Sequence, residues 1–551
     1  MRDYCLAFLL CVLSISVVLS TPTTIYVSPD AVNSKVQCGT SIQSPCGSIV
    51  DAIASFDSYS FPGSGNPKLY PPLVIALLPG TYFSSATSKN VSDTVVFYQH
   101  DITIQPATPN TDVVISGKYF TNDLFNIGLS KPAEWGAKLT VTGITFDSWS
   151  SQILAASSIY DLSASFSNCT IQNSAGGGGN NPSIFLIYSY GSSKITFLNF
   201  NKCTMDSNSA KASSSLIYTS GVTVSITNSN FNNNNFTTMI TSSSIVTMSN
   251  SNVTNSGRVA YAINGNMTIT GCNFKNNQDS SYIFYSVKSG VSISTSNFIS
   301  NSIGSSQNGI LTISGAEGYY FTVSGSTFSN NNGTPIYSTG NNLAVKGSTF
   351  QNNQGYYGGG VYQSDTIADI ASSIFIVTSS GNSLSEMIYL SKVPSLSIES
   401  TNFKITSDAT GVSSKFSMIE CQGSAIYLSD VTMDLAQYRS IDCTSCSVTI
   451  RSGNQYQCEV APTTSSTSSS DESTSSTSSS TTSSSSGTTG NSGNGSTTSG
   501  ASSGNGGTIT TTSSTSTSTS STTTHTTGDA NSHKIEMWVY IVAALFALLL
   551  I

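Results

Sequence analysis

Side chains able to do chemistry are sparse in this sequence. Its 551 residues include 28 Asp and Glu, 20 Lys and Arg and 3 His. Cleavage of sugars needs clustered carboxylates, for acid/base work or to hold calcium, often beside a basic residue. Asp430 and Asp434 stand close together, but Met433 fills an apolar position between them and no basic residue follows closely. Asp365 and Asp369 share that weakness. Beyond the first twenty residues the arginines are Arg258, Arg439 and Arg451, and His100 is the one histidine in the repetitive region. There is no Gly-His-Gly, no Asp-Asp pair and no nucleophile motif. A lone His or Asp in a β-rich chain is most often a turn or surface residue. A non-catalytic protein is therefore the preferred reading, with no cofactor and no metal site. Carboxylates gathered from distant parts of the chain are the route by which an enzyme would escape a linear reading.

A second pattern points to binding. Ile187-Tyr188-Ser189, Ile217-Tyr218-Thr219, Ile336-Tyr337-Ser338, Val361-Tyr362-Gln363 and Ile388-Tyr389-Leu390 repeat one arrangement. With the aliphatic residue inward, each tyrosine faces out, and the rings form a strip on which sugars would pack. The plainer alternative is that tyrosine suits strands and shields the sheet.

These residues are positioned by a repeat. Gly325-Ser326-Thr327-Phe328-Ser329-Asn330-Asn331-Asn332 is nearly copied at Gly347–Asn353, and earlier copies centre on Phe231, Phe274 and Phe298. Looser copies place Ile171, Met205, Val253, Phe403 and Met433 at the large position. Such a period, roughly 21 to 34 residues, means a solenoid in which each unit buries its face against its neighbours. Val222–Thr227 alternates strictly, as a half-buried strand does. The expectation is all-β: a parallel β-helix of about a dozen coils, ~55–60 Å long. The Phe column would point inward. Asparagines one before and two or three after each Phe would form amide ladders in the bends, where Asn, Gly and Ser tolerate left-handed backbone angles.

The first strand after the leader is read at Thr24–Pro29. A loop holding Cys38 and Cys46 follows, then a short helix from Ser48 through Ile53, the strand Leu73–Leu78 and Pro79-Gly80-Thr81-Tyr82. This opening resembles that of the pectin-lyase-like right-handed parallel β-helix proteins. The resemblance implies an amphipathic helix plugging the N-terminal end of the stack, and its enzymes cleave acidic polysaccharides. Phe-x-Asn-Asn with Gly358-Gly359-Gly360-Val361-Tyr362 also looks like the repeats of bacterial polymorphic outer-membrane proteins. The Asn-, Ser- and Thr-rich style resembles social-amoeba surface proteins.

The remaining features concern address. Residues 1–20 read as a signal peptide, with an apolar run from Tyr4 to Leu19 too short for a span of about 20. Residues 21–90 form the cap and first strands, and 91–460 the solenoid. Export permits disulfides, for which Cys38, Cys46, Cys421, Cys443, Cys446 and Cys458 are candidates. Cys169, Cys203 and Cys272 read as buried thiols, a Cys169–Cys203 bridge being the alternative. Asn90, Asn168, Asn235, Asn252, Asn266, Asn332 and Asn494 stand in glycosylation sequons. Residues 461–528 are Ser/Thr-rich and expected to be a disordered stalk. Residues 529–551 match a GPI-attachment signal, with Gly528 the first choice of lipidation site, Asn531 or Ala530 the alternative sites, and a short transmembrane tail the alternative to an anchor.

A net charge of −8 with few arginines excludes nucleic acid as a partner. The expected protein is a GPI-anchored glycoprotein on the extracellular face of the plasma membrane, presenting a β-helix for adhesion or glycan recognition. The alternatives are a polysaccharide lyase or glycoside hydrolase, or a structural coat protein. Oligomeric state is not encoded legibly.

Overall fold

A computed structural model describes residues 22–459, save 32–37, 61–70, 84–94, 98–100, 119–122, 128–136, 159–161, 176–182, 190–195, 210–214, 306–307, 316–317, 379–385, 407–415 and 435–437. The expected stalk and lipidation signal, residues 461–551 with Gly528 and Asn494, lie outside the described residues, as do the expected signal peptide, Asn90 and His100.

The strands alternate buried and exposed positions, so each must lay one side on a common core. They wind into three parallel faces, and every strand pairing runs between one coil and the next. Faces A and B join into one 29-stranded sheet through the strand Ala425–Met433, while face C is a separate 15-stranded sheet. This is a right-handed parallel β-helix: the repeat predicts the parallel solenoid, and the resemblance of the opening segment implies its hand. Face C has more rungs than the dozen expected, because strands such as Phe125–Ile127 and Arg439–Thr444 lie in coils without a Phe-Asn copy. Fifteen rungs at ~4.8 Å per step span about 67 Å.

Face B carries the repeat. Ile115, Phe146, Ile171, Met205, Phe231, Val253, Phe274, Phe298, Phe328, Phe350, Phe375, Phe403 and Met433 are register partners in one inward column. From Phe274 to Phe403, successive phenylalanine rings stack with centroids 4.7–5.0 Å apart.

Three residues after this column, Asn208, Asn234, Asn277, Asn301, Asn331 and Asn353 are buried. Asn301 shows why the amide is required there. Its Nδ2 donates to the carbonyl of Phe274 and to Asn331 Oδ1, both at 3.0 Å. Its Oδ1 accepts from the backbone N and Nδ2 of Asn277, at 3.1 and 3.0 Å. Both donors and both lone pairs are thus used away from water. A second ladder runs along the outside, from Asn230 through Asn252 and Asn273 to Asn297.

Single residues turn the corners. Asn233, Asn276, Asn330 and Asn352 follow face B with φ of 54°, 56°, 54° and 52°. Asn228 and Asn250 stand with φ of 52° and 49° between faces A and B. Asparagine tolerates this left-handed conformation better than most residues.

A helix, Ile49–Ser60, belongs to the N-terminal cap and is longer than the sequence suggests. Ser48 Oγ accepts from the backbone N of Asp51 at 3.0 Å and donates to its Oδ2 at 2.8 Å, capping the first turn. Ile49, Ala52, Ile53 and Phe56 are buried with the core residues of the first strands. Among the described residues no helix is long and apolar enough to cross a membrane.

Candidate functional site

Face C builds the tyrosine strip by strand alternation. Ile217, Ile336, Val361 and Ile388 are fully buried, so the residue after each faces outward. Tyr337, Tyr362 and Tyr389 are register partners on consecutive coils. Their rings stack at 4.3 Å and 5° between the first two, and at 5.4 Å and 19° between the second two. Each is half-buried, presenting part of its ring to solvent. The same column runs back through Thr312, Tyr285, Tyr261 and Ile240 to Tyr218.

Tyr188 departs from the expected arrangement. It pairs with Ser220, two residues beyond Tyr218, because Phe185 rather than Ile187 meets Ile217 in register. Both Phe185 and Ile187 point inward, so the motif matches at the second inward position of its strand instead of the first. Its ring leans diagonally to within 5.5 Å of Tyr218.

Five tyrosines escaped the sequence pattern. Tyr261 and Tyr285 follow Ala260 and Phe284 rather than Ile or Val, and an inward-residue-then-Tyr rule would have found them. Tyr282 stacks on Tyr285 at 4.4 Å, with the Arg258 guanidinium 4.2 Å from its ring centre. Tyr356 and Tyr357 come from a glycine-rich insertion for which the repeat offers no template. Tyr357 lies 5.7, 4.7 and 5.6 Å from the rings of Tyr337, Tyr362 and Tyr389, at angles of 48°, 48° and 63°. It forms a wall beside the strip. Tyr356 stands edge-on to it and is 62% exposed. Glycine is needed in this turn: Gly358 has φ of 99°, and a Cβ on Gly360 would come within 2.5 Å of Phe375.

The rings of the strip carry no charge of their own, and the column they form ends in acid. Burial chiefly, with help from Glu420 and its tyrosine neighbours, pushes the Tyr389 phenol up to about 12. Burial also raises Tyr337 and Tyr357 above the ordinary phenol range. Beyond Tyr389 the column continues through Glu420, Asp442 and Glu459. Arg439 Nη1 pairs with Asp442 Oδ2 at 2.9 Å. Glu420 is raised above the usual carboxylate range, first by burial and then by Asp442, while a hydrogen bond from Gln422 opposes the shift.

The other candidates are dispersed. Asp365 and Asp430 are left-handed corner residues with φ of 68° and 52°, and Asp369 and Asp434 are exposed. None of these four joins the strip's acidic end. Disulfides join Cys38 to Cys46, Cys421 to Cys446 and Cys443 to Cys458. Cys169, Cys203 and Cys272 are buried free thiols at the position two before the Phe column, where six other coils carry serine. Asn168, Asn235, Asn266 and Asn332 are exposed, whereas the amide of Asn252 is a rung of the outer ladder.

No known protein family and no curated protein matches the sequence. Among solved structures, the A-module of the mannuronan C-5 epimerase AlgE4 from Azotobacter vinelandii is 10% identical. That match covers 77% of this chain and 99% of that one, with a TM-score of 0.31. PfbA, a surface adhesin of Streptococcus pneumoniae, is 10% identical over 77% of this chain and 93% of that one, at 0.32. Tailspike protein 3 of bacteriophage CBA120 is 14% identical over 75% and 59%, at 0.30. Identities and scores this low carry nothing about activity. The structure itself shows three parallel faces wound as a β-helix, with a helix in the N-terminal cap.

Proposed function

We propose that this chain is an exported, lipid-anchored surface glycoprotein whose β-helix recognises glycans along the tyrosine strip, without turning them over. The observation that carries the reading is the in-register stack Tyr337–Tyr362–Tyr389, walled by Tyr357, on a sheet whose other side is the core. Flat rings flanked by phenol hydroxyls suit the apolar faces and hydroxyl rims of sugars. The address rests on the signal peptide, the sequons and the tail that follows Gly528. Three disulfides accord with folding in an oxidising compartment.

The test is a glycan array probed with the secreted protein and with Tyr337→Ala/Tyr362→Ala. At about 0.5–1.5 kcal/mol for each ring contact, the double variant should lose roughly tenfold in affinity. Equal binding by the two proteins would remove the strip from consideration. Release from cells by phosphatidylinositol-specific phospholipase C tests the anchor, and a mature protein that keeps its C-terminal peptide would refute it.

A further inference from the structure

We propose that the glycan bound by the strip carries free amines: a polymer of amino sugars whose ammonium groups meet carboxylates at the C-terminal end of the tyrosine column. This rests on the strip being a glycan surface, and adds the chemical class of the ligand.

The argument is one of charge complementarity along a single line of register. Tyr362 and Tyr389 are followed, one coil at a time and without change of face, by Glu420, Asp442 and Glu459. A chain lying on the rings therefore continues over three acids. Arg439 is already engaged by Asp442, which leaves the group net negative. Glu420 is half-buried, and among the described residues it forms no ion pair; Gln422 Nε2 donates a hydrogen bond to its Oε1 at 3.3 Å. Withdrawing a carboxylate partly from water without a cation is costly, and an ammonium group on the ligand would offset that cost. The raised Glu420 carboxyl accords with this lack of a cationic neighbour. Uronic-acid polymers, by contrast, would bring like charge onto the same residues and be rejected.

The experiment measures binding of the full secreted chain to three oligosaccharides of equal length, of glucosamine, N-acetylglucosamine and glucuronate, at moderate salt and a pH that protonates the amine. Hexalysine is the charge-only control. One charge-assisted contact predicts that the glucosamine oligomer binds about tenfold tighter than its acetylated counterpart. Glu420→Gln should bring that ratio close to one, and Tyr362→Ala should weaken both sugars. Equal binding of all three oligomers, still sensitive to Tyr362→Ala, would overturn the charge inference and leave the strip standing. Binding insensitive to Tyr362→Ala would defeat both. Hexalysine binding as tightly as glucosamine, or a preference that survives Glu420→Gln, would trace the effect to the protein's overall negative charge and overturn the proposal.

Discussion

At the scale of the residue, the buried asparagine is the least replaceable part of the repeat. Asn301→Ala would strip partners from the Phe274 carbonyl, from Asn331 Oδ1 and from two donors on Asn277. Asn331 Oδ1 would keep the Asn301 backbone N–H at 2.9 Å and Asn277 Nδ2 the Val253 carbonyl at 2.9 Å, so the Phe274 carbonyl and the Asn277 N–H are the groups left unsatisfied. At about 1–3 kcal/mol for each, the variant should lose at least about 2 kcal/mol. Asn230→Ala removes only an acceptor of the outer ladder, within reach of water, and should cost less than about 1 kcal/mol. Urea midpoints at unchanged slope would measure both. Similar losses from the two would mean that the inner ladder is not special. The positions of these amides were legible beforehand because they recur at a fixed offset from a large apolar residue. Which offset lies inside was not, since two neighbouring asparagines look alike until the left-handed corner at Asn233 or Asn330 separates them.

At the scale of the element, the tyrosine face and the terminal disulfides make independent predictions. The phenols of Tyr337, Tyr357 and Tyr389 titrate higher in the folded protein than in the unfolded chain, where the ordinary value is about 10. Above that pH the folded state holds more protons, so stability must fall as pH rises from about 10 through the folded value of about 12 for Tyr389. Tyr389→Phe should flatten part of that decline while leaving the stability near neutrality little changed, as urea melts across the alkaline range would show. An unaltered slope would mean that the ring is as solvated folded as unfolded. The Cys443–Cys458 bridge closes a 15-residue separation on the last rung of face C, and its loss should cost about 3 kcal/mol. Because coils contact only their neighbours, hydrogen exchange in Cys443→Ser/Cys458→Ser should rise over Arg439–Thr444 and stay unchanged over Thr327–Ser329. The inward columns could be read from the sequence since each coil repeats them. The wall formed by Tyr357 could not, because an insertion occurs once and its fold depends on Gly358 and Gly360. The acidic end of the strip stayed hidden for a different reason: Glu420, Asp442 and Glu459 are far apart in sequence and meet only through the winding of the coils.

At the scale of the molecule, glycosylation should follow the architecture. Asn168, Asn235, Asn266 and Asn332 are exposed, whereas Asn252 both donates to Asn230 Oδ1 at 2.7 Å and accepts from Asn273 Nδ2 at 2.9 Å. A glycan on its nitrogen would interrupt the ladder. Site-resolved mass spectrometry of the secreted protein should find Asn252 the least occupied of these five sequons; full occupancy there would contradict the ladder's importance. The tyrosine strip also inherits its interval from the peptide hydrogen bonds that join one coil to the next. Substitution can change the letter standing at each mark but not the distance between marks. A polymer laid along the strip would therefore be measured against a ruler that mutation cannot stretch, and descendants of this chain could alter that fit only by rewriting letters or by adding and deleting whole turns.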